Sequence, residues 1–266
     1  MEAKACGLAW RAQVGGMAFR LIARLDVKPP HLVKGVHLEG VRKLGTPREF
    51  AERYYQEGID EIFYQDVVAS LYGRSSIAGL VESTAERVFV PITVGGGIRS
   101  LADIQSMLRS GGDKVSINTM AVMDPALISE AAKIFGTQCV TVALEVMPSG
   151  TAGWEPLVDC GRQHTGLDAE AWAYQSVNLG AGELLITSIQ AEGTRQGFDF
   201  TFADRLLGNV KVPVLLHGGA GTSDDIVEVA RRGYSGVVIA SILHYGLATV
   251  AEIKEKLLKA NIEVRT

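Results

Sequence analysis

The sequence falls into two similar halves. A glycine run centred on Gly96 is followed 22 residues later by Asn118, and a second run centred on Gly219 is followed 22 residues later by Ser241. A period of nearly half the chain is too long for a solenoid repeat. It predicts one domain of two similar halves, each with an acid and a glycine loop able to hold an anion. Other corresponding positions lie 119 to 122 residues apart: Asp26 with Glu145, and Glu61 with Glu183.

Length and composition exclude several classes of protein. A chain of 266 residues has the usual size of one α/β barrel. Its net charge of −4 gives no electrostatic case for binding nucleic acid or an anionic membrane. No apolar run reaches the roughly 18 residues of a membrane helix. The 3 cysteines and 5 histidines show no metal-ligand or redox spacing. We therefore expect a protein of the cytoplasm with neither metal nor cofactor.

The first 16 residues are predicted to lie outside the folded core. Met1–Gly16 mixes Lys4 and Arg11 with small residues and lacks the apolar centre of a secretory signal. Met17 begins a segment that leads at once into the first strand-like run. We therefore assign residues 17–266 to the domain and interpret residues 1–16 as a leader or an alternative start.

Strand-like and helix-like runs alternate eight times along the chain. The strand candidates are short, apolar and rich in branched side chains, as expected of parallel strands covered on both faces. Eight such units in about 250 residues predict an α/β fold, a single (β/α)8 TIM barrel with two-fold half-barrel symmetry. An open doubly wound sheet is the alternative, and the repeat disfavours it. The predicted strands are Arg20–Asp26, Glu61–Asp66, Val90–Val94, Lys114–Ile117, Cys139–Glu145, Glu183–Ser188, Val212–His217 and Gly236–Ala240.

Two acids are predicted to face one active site. Asp26 ends the first strand and Glu145 ends the fifth, on opposite sides of the barrel. The active site of such a barrel lies at the carboxyl ends of its strands. Two carboxylates in one pocket are typical of a general acid and a general base. Helix capping or pairing with lysine is the alternative role for each acid.

The glycine loops after the third and seventh strands predict two phosphate sites. Glycine lets backbone N–H groups approach a phosphate closely. Polar or small residues follow the next strand in each half and add donors. Lys34, after the first strand, could clamp a phosphate or be an exposed lysine without a role, and His217 could touch substrate or only fill the pocket wall. The candidate phosphate ligands in the two loops and the strands that follow them are Gly97, Asn118, Thr119, Gly219, Ala240 and Ser241.

Four charged residues begin strands at the opposite end of the barrel. They are two bases and two acids, and the geometry of a barrel should place them around its amino-terminal opening. They could be ordinary solvated strand ends. The alternative is a ring that plugs or gates an axial passage. The four are Arg20, Glu61, Lys114 and Glu183.

From about Met17 onwards the sequence resembles the cyclase subunit of imidazole glycerol phosphate synthase, the HisF-type barrel. A sister family of isomerase barrels shares the half-barrels and both acids, but the run Lys114–Thr119 and the charged ring favour the cyclase. The segments that carry the resemblance are Leu25–Lys28, Leu32–Gly35, Thr93–Ile98, Asp113–Thr119, Gly180–Glu183 and Gly218–Gly221.

The resemblance implies a reaction, a partner and residue roles. A glutaminase subunit would dock on the amino-terminal face, and its ammonia would pass through the barrel. At the active end, a bisphosphorylated formimino-carboxamide ribonucleotide would yield imidazole glycerol phosphate and aminoimidazole carboxamide ribotide. Asp26 and Glu145 would be catalytic, Asp113 would lie at the glutaminase interface, and Lys34 would anchor a mobile loop. The gate would consist of Arg20, Glu61, Lys114 and Glu183. One phosphate would be held by Gly97, Asn118 and Thr119. The other would be held by Gly193, Gly219, Ala240 and Ser241.

Five departures from the family pattern cluster at the active face. Glu145 stands where aspartate is usual, and a carboxylate misplaced by about 1 Å can cost roughly 10²-fold in rate. Three functions therefore remain: the histidine-pathway cyclase, a paralogue that channels ammonia to a sugar amidotransferase of surface-polysaccharide synthesis, and an inactive scaffold for the glutaminase. The other departures are Val68, Gln190, Glu192 and His217.

Overall fold

A computed structural model describes residues 18–69, 77–150 and 153–265. The segment Met1–Gly16, interpreted as a leader, lies outside the described residues. Eight parallel strands form a closed barrel, in which each pairs with the next and the last returns to the first through Arg20 and Gly236. The predicted TIM barrel is confirmed. Its strands are β1 (Arg20–Lys28), β4 (Glu61–Asp66), β5 (Ile92–Gly95), β6 (Lys114–Ile117), β7 (Val140–Ser149), β10 (Glu183–Ser188), β11 (Val214–His217) and β12 (Gly236–Ile239).

Helices cover the outside of the barrel and bury an apolar face against it. In the helix Ser223–Arg232, Thr222 accepts from the backbone N–H of Asp225 and Gly233 ends the helix in a left-handed conformation, so both ends are capped. The helices are α1 (Pro47–Gln56), α2 (Ala78–Ala85), α3 (Leu101–Arg109), α4 (Thr119–Met123), α5 (Ala126–Phe135), α6 (Ala169–Leu179), α7 (Ser223–Arg232), α8 (Ser241–His244) and α9 (Val250–Lys259).

Each half-barrel extends its first strand into an antiparallel hairpin over the active face. In the first half, β1 pairs with β2 (His31–Val36), which pairs with β3 (Glu39–Gly45). In the second half, β7 pairs with β8 (Gly153–Val158), which pairs with β9 (Gln163–His164). The half-barrel repeat is thus visible in the structure. The segment after the first strand, which the resemblance implies to be a loop anchored by Lys34, forms β2 and β3.

The side chains of β1 point alternately into and out of the barrel, and the inward ones lie in successive layers of its interior. Residues two apart point to the same face of a strand, so Arg20, Ile22, Arg24 and Asp26 all face inward. Ile22 belongs to a buried apolar layer across the barrel axis, with charged residues on either side of it along β1. The interior therefore has an apolar centre between two charged ends. The other members of this layer are Phe63, Ala143, Leu185, Leu215 and Val238.

The two ends of the described chain meet beside the first strand. Phe19 forms an isolated parallel bridge with Val264, and its N–H donates to the carbonyl of Glu263 at 2.8 Å. Because Phe19 precedes β1, this bridge lies at the amino-terminal end of the barrel. The segments that contain Phe19 and Val264 thus pair with each other beside the barrel.

Asp60 connects the outer helices to the barrel and is expected to contribute strongly to stability. Its buried carboxylate accepts from the N–H of Leu21 at 2.7 Å and from Lys254 Nζ at 2.7 Å. Asp60→Ala leaves the N–H of Leu21 unpaired and removes one of two acceptors from Lys254 Nζ, which keeps the carbonyl of Arg265. We therefore expect the free energy of unfolding to fall by about 1–3 kcal/mol in urea titration. The exposed Glu255, paired with Lys259, provides the control, because Glu255→Ala should change little. Equal effects of the two substitutions would contradict the assignment.

Candidate active site

A cavity of about 410 Å³ opens at the carboxyl ends of the strands in the first half of the barrel. Glu145, on β7, lies in its wall and is 7% exposed. Asp26, on β1, is 4% exposed and is not part of the wall. The predicted pair of acids therefore differs in access: Glu145 meets the cavity directly, and Asp26 reaches it through the side chain of Arg24, which does line it.

Arg24 was not recognised in the sequence as a site residue. Its Nε donates to Asp26 Oδ1 at 2.7 Å, and its guanidinium lies 5.8 Å from the ring centre of Phe63. It is almost fully buried at the floor of the cavity. Strand alternation could have revealed it, since Arg20, Arg24 and Asp26 are spaced to share the inner face of β1.

The two acids differ in pKa because their neighbours differ. Burial alone would raise the pKa of Asp26, but Arg24 and Lys34 outweigh it and hold that pKa well below its usual range. Burial raises the pKa of Glu145 to about 7 even though Arg24 opposes the rise. Near neutral pH, Asp26 is therefore an anion, while Glu145 can both give and accept a proton.

Polar contacts fix the side chain of Glu145 and the first glycine loop. Asn118 Nδ2 donates to Glu145 Oε2 at 3.1 Å and to the carbonyl of Leu157 at 3.2 Å, while Thr119 Oγ1 accepts from the N–H of Asp159. Asn118, Thr119 and Gly97 all line the cavity, as predicted for the first phosphate site. Asn118 uses both of its N–H donors in these contacts, whereas the Thr119 hydroxyl only accepts and keeps its O–H as a donor to a phosphate.

The second glycine loop surrounds a much smaller space. Gly193, Gly219, Ala240 and Ser241 line a cavity of about 10 Å³, roughly the room for one water. A Cβ on Gly219 would lie 2.0 Å from the carbonyl oxygen of Gly197, and its φ of 112° also requires glycine. The sequence thus brought these four residues together correctly, but the two predicted anion sites differ greatly in size.

Lys34 explains the difference in size. It lies on β2, is 3% exposed, and forms an ion pair with Glu192 and a longer contact of 3.6 Å with Asp26 Oδ2. Glu192 is fully buried and also accepts from the N–H of Leu38 at 2.9 Å. The interpretation of Lys34 as an exposed lysine is wrong, because its side chain is buried. Lys34 and Glu192 both line the small cavity at the second glycine loop.

His217 is a neutral acceptor beside the second glycine loop. Its Nδ1–H donates to the carbonyl of Val238 at 2.8 Å. Burial, with Arg24 and Lys34 nearby, lowers the pKa of His217 to about 3. Its Nε2 is buried and finds no hydrogen-bonding partner among residues 18–69, 77–150 and 153–265. His217 lines the second cavity, a position compatible with both roles that the sequence left open, contact with substrate and filling of the pocket wall.

The four charged strand starts form a closed ring at the amino-terminal end of the barrel. Arg20 contacts Glu61 at 2.8 Å and Glu183 at 2.5 Å. Lys114 contacts the same two acids at 3.0 Å and 3.6 Å. Positive and negative charges alternate around the opening. Nearby, the exposed Asp113 accepts from the N–H of Ile92 at 2.8 Å.

No helix in the described part of the chain is both long and apolar enough to cross a bilayer. Within the same residues, no group of three or more histidine, cysteine, aspartate or glutamate side chains has the arrangement of a metal site.

The fold and the site define a TIM-type barrel of two half-barrels, with paired acids at the mouth and a charged ring at the base. The chain belongs to the family of the histidine biosynthesis protein, whose model matches residues 20–249. It is 52% identical over 206 residues to the imidazole glycerol phosphate synthase subunit HisF of Legionella pneumophila. The aligned residues cover 77% of this chain and 97% of that protein. It is 45% identical over 250 residues to the subunit of the same name from Bacillus cereus strain Q1, covering 94% and 99%.

Proposed function

We propose that this protein is the cyclase subunit of an imidazole glycerol phosphate synthase. It would use ammonia from a glutaminase subunit to convert the bisphosphorylated formimino-carboxamide ribonucleotide into imidazole glycerol phosphate and aminoimidazole carboxamide ribotide. The observation that carries the proposal is the placement of Asp26 and Glu145 at one mouth, between two glycine loops. Identities of 45–52% to subunits named HisF support it. The catalytic unit would be residues 17–266, in the cytoplasm.

The substrate would lie across the mouth with one phosphate at each glycine loop. Gly97, Asn118 and Thr119 would hold the first phosphate in the larger cavity. The second phosphate would need Lys34 to leave Glu192 and turn toward it, since the present space there is about 10 Å³. The residues that would hold the second phosphate with Lys34 are Gly193, Gly219, Ala240 and Ser241.

Ammonia would enter at the opposite end. The ring of Arg20, Glu61, Lys114 and Glu183 would control entry, and the apolar layer above it would favour neutral ammonia over ammonium, because a charge pays a large desolvation cost there. A glutaminase would dock on this face, where Asp113 is exposed.

The direct test is turnover without the glutaminase. We expect the purified barrel, given the bisphosphorylated nucleotide and excess ammonium salt, to consume the substrate, followed by its loss of absorbance. Product should be identified by mass spectrometry. A protein shown to be folded by circular dichroism that leaves the substrate unchanged would contradict the proposal.

A second candidate function is delivery of ammonia to a sugar amidotransferase of surface-polysaccharide synthesis. The specific observation in its favour is the buried pair of Lys34 and Glu192, which narrows one anion site while the charged ring is complete. In that case the barrel would relay ammonia from a glutaminase-like partner without the ring-closing reaction. Absence of cyclase turnover, together with glutamine-dependent release of ammonia by the complex, would favour it.

A further inference from the structure

Four of the buried ionisable side chains at the mouth of the barrel form one continuous chain of ion pairs. Arg24 bonds to Asp26, Asp26 lies 3.6 Å from Lys34, and Lys34 pairs with Glu192. All four are at most 4% exposed. Two cations and two anions alternate, so this chain of charges is balanced within itself.

Glu145 lies beside this chain of ion pairs. Because Arg24 and Lys34 are already paired with Asp26 and Glu192, Glu145 has no cation of its own. Its hydrogen-bond donors are neutral: the amide of Asn118 at 3.1 Å and the backbone of Gly161. The nearest guanidinium, that of Arg24, is already bonded to Asp26. A buried carboxylate without its own countercharge favours the protonated form.

The other ionisable groups around Glu145 do not supply the missing charge. His217 is held neutral by burial, which lowers its pKa to about 3. Burial raises the pKa of the Cys160 thiol to about 12, so it too is neutral. Arg99 lines the same cavity, but it is exposed and bonds to the carbonyl of Ala69. The remaining groups on the surrounding elements are Asp66 on β4, and Asp159 and Arg162 in the second hairpin.

We propose that Arg24 is a positioning residue which, with Lys34, holds Asp26 as a permanent anion, so that Glu145 alone exchanges a proton at this site. The two acids that correspond in the two half-barrels then have different roles. Glu145 takes a proton from one substrate atom and returns it to another, and Asp26 supplies fixed negative charge. The catalytic consequence rests on the proposed function, whereas the protonation states do not.

Carboxyl titration followed by NMR tests the assignment without any substrate. The protein is labelled with ¹³C at the side-chain carboxyls of aspartate and glutamate and titrated from about pH 5 to about pH 9. Glu145→Gln and Asp26→Asn identify the two signals by their loss. We expect the Glu145 signal to titrate with a midpoint near 7 and the Asp26 signal to stay that of a carboxylate throughout. The proposal is overturned if the Glu145 carboxyl is already ionised at about pH 5, or if the Asp26 signal titrates between about pH 5 and about pH 9.

Two substitutions of Arg24 test the positioning role. Arg24→Met removes the cation and should bring the Asp26 signal into the titrating range and raise the midpoint of Glu145, because Arg24 favours the charged form of both. Arg24→Lys keeps the charge and should preserve both signals in large part. If Arg24 has only a structural role, both variants should lose thermal stability while the titration midpoints of Asp26 and Glu145 stay unchanged. That result would overturn the positioning role of Arg24. If Arg24→Met does not fold, the titration of the unsubstituted protein still decides the protonation states.

Discussion

Asp26→Asn is expected to reduce ammonium-dependent cyclase turnover by at least about 10²-fold, since fixed charges aimed at a reacting centre have effects of this size. Asparagine keeps the shape of the side chain and can still accept from Arg24 Nε, so the barrel should fold. What it removes is the anion between Arg24 and Lys34. Lys34 would keep Glu192 as its partner, but Arg24 would lose its anion and stand unbalanced beside the reacting atoms. The measurement is kcat with saturating nucleotide and ammonium salt, alongside thermal unfolding of both proteins.

Asp113→Asn provides the matched control for Asp26→Asn. Asp113 is an aspartate at the opposite end of the barrel, where it accepts from the N–H of Ile92, and the assay with ammonium salt does not involve a glutaminase. Its turnover should match that of the unsubstituted protein. Undiminished turnover in Asp26→Asn would refute a role for Asp26 in the reaction. Residual activity in that variant should still depend on the ionisation of Glu145, but at a lower pH, because the charge of Asp26 that helps to raise the pKa of Glu145 is gone.

Lys114→Glu is expected to uncouple glutamine hydrolysis from ammonia use. The substitution places a third acid beside Glu61 and Glu183 and leaves Arg20 as the one cation of the four-residue ring. Repulsion should open or distort the ring, because like charges at these distances destabilise the arrangement. With a purified imidazole glycerol phosphate synthase glutaminase as partner, we expect the glutamine-driven turnover to fall about tenfold, corresponding to roughly 1.4 kcal/mol. The ammonium-driven turnover should change little.

Lys114→Arg is the control for the ring, since it keeps the charge and can still contact both acids. Its ratio of imidazole product formed to glutamine hydrolysed should stay near that of the unsubstituted protein. Both rates are measured in one reaction, so a general loss of activity is separated from a loss of coupling. If the ratio of product formed to glutamine hydrolysed is unchanged in Lys114→Glu, the ring does not act as a gate for ammonia.

Local sequence patterns were sufficient to predict the barrel. Short branched runs define parallel strands, and strands such as Glu61–Asp66, Lys114–Ile117 and Glu183–Ser188 begin and end where the pattern predicts. The carboxyl ends of these strands form one face in any such barrel. For this reason the glycine loops, the two acids and the charged ring could all be placed from the sequence.

Contacts between distant segments could not be predicted in the same way. Lys34 and Glu192 are 158 residues apart, and no local periodicity indicates that the first hairpin crosses to the loop after β10. Arg24 was missed because the strand was recognised by its apolar residues, and a charged residue inside it carries no sign of its partner. The unequal size of the two anion sites follows from these ion pairs, so it too became visible only in the structure.

The bridge between Phe19 and Val264 makes the barrel suitable for circular permutation. Because the segments that contain Phe19 and Val264 pair side by side at the amino-terminal end, a short linker could join these two positions with little strain. New ends at Gly136, which closes α5 just before the fifth barrel strand, would exchange the order of the half-barrels along the chain. The strands would keep their neighbours, and Arg24 and Glu145 would stay on their own strands, although the polypeptide would begin with what is now its second half.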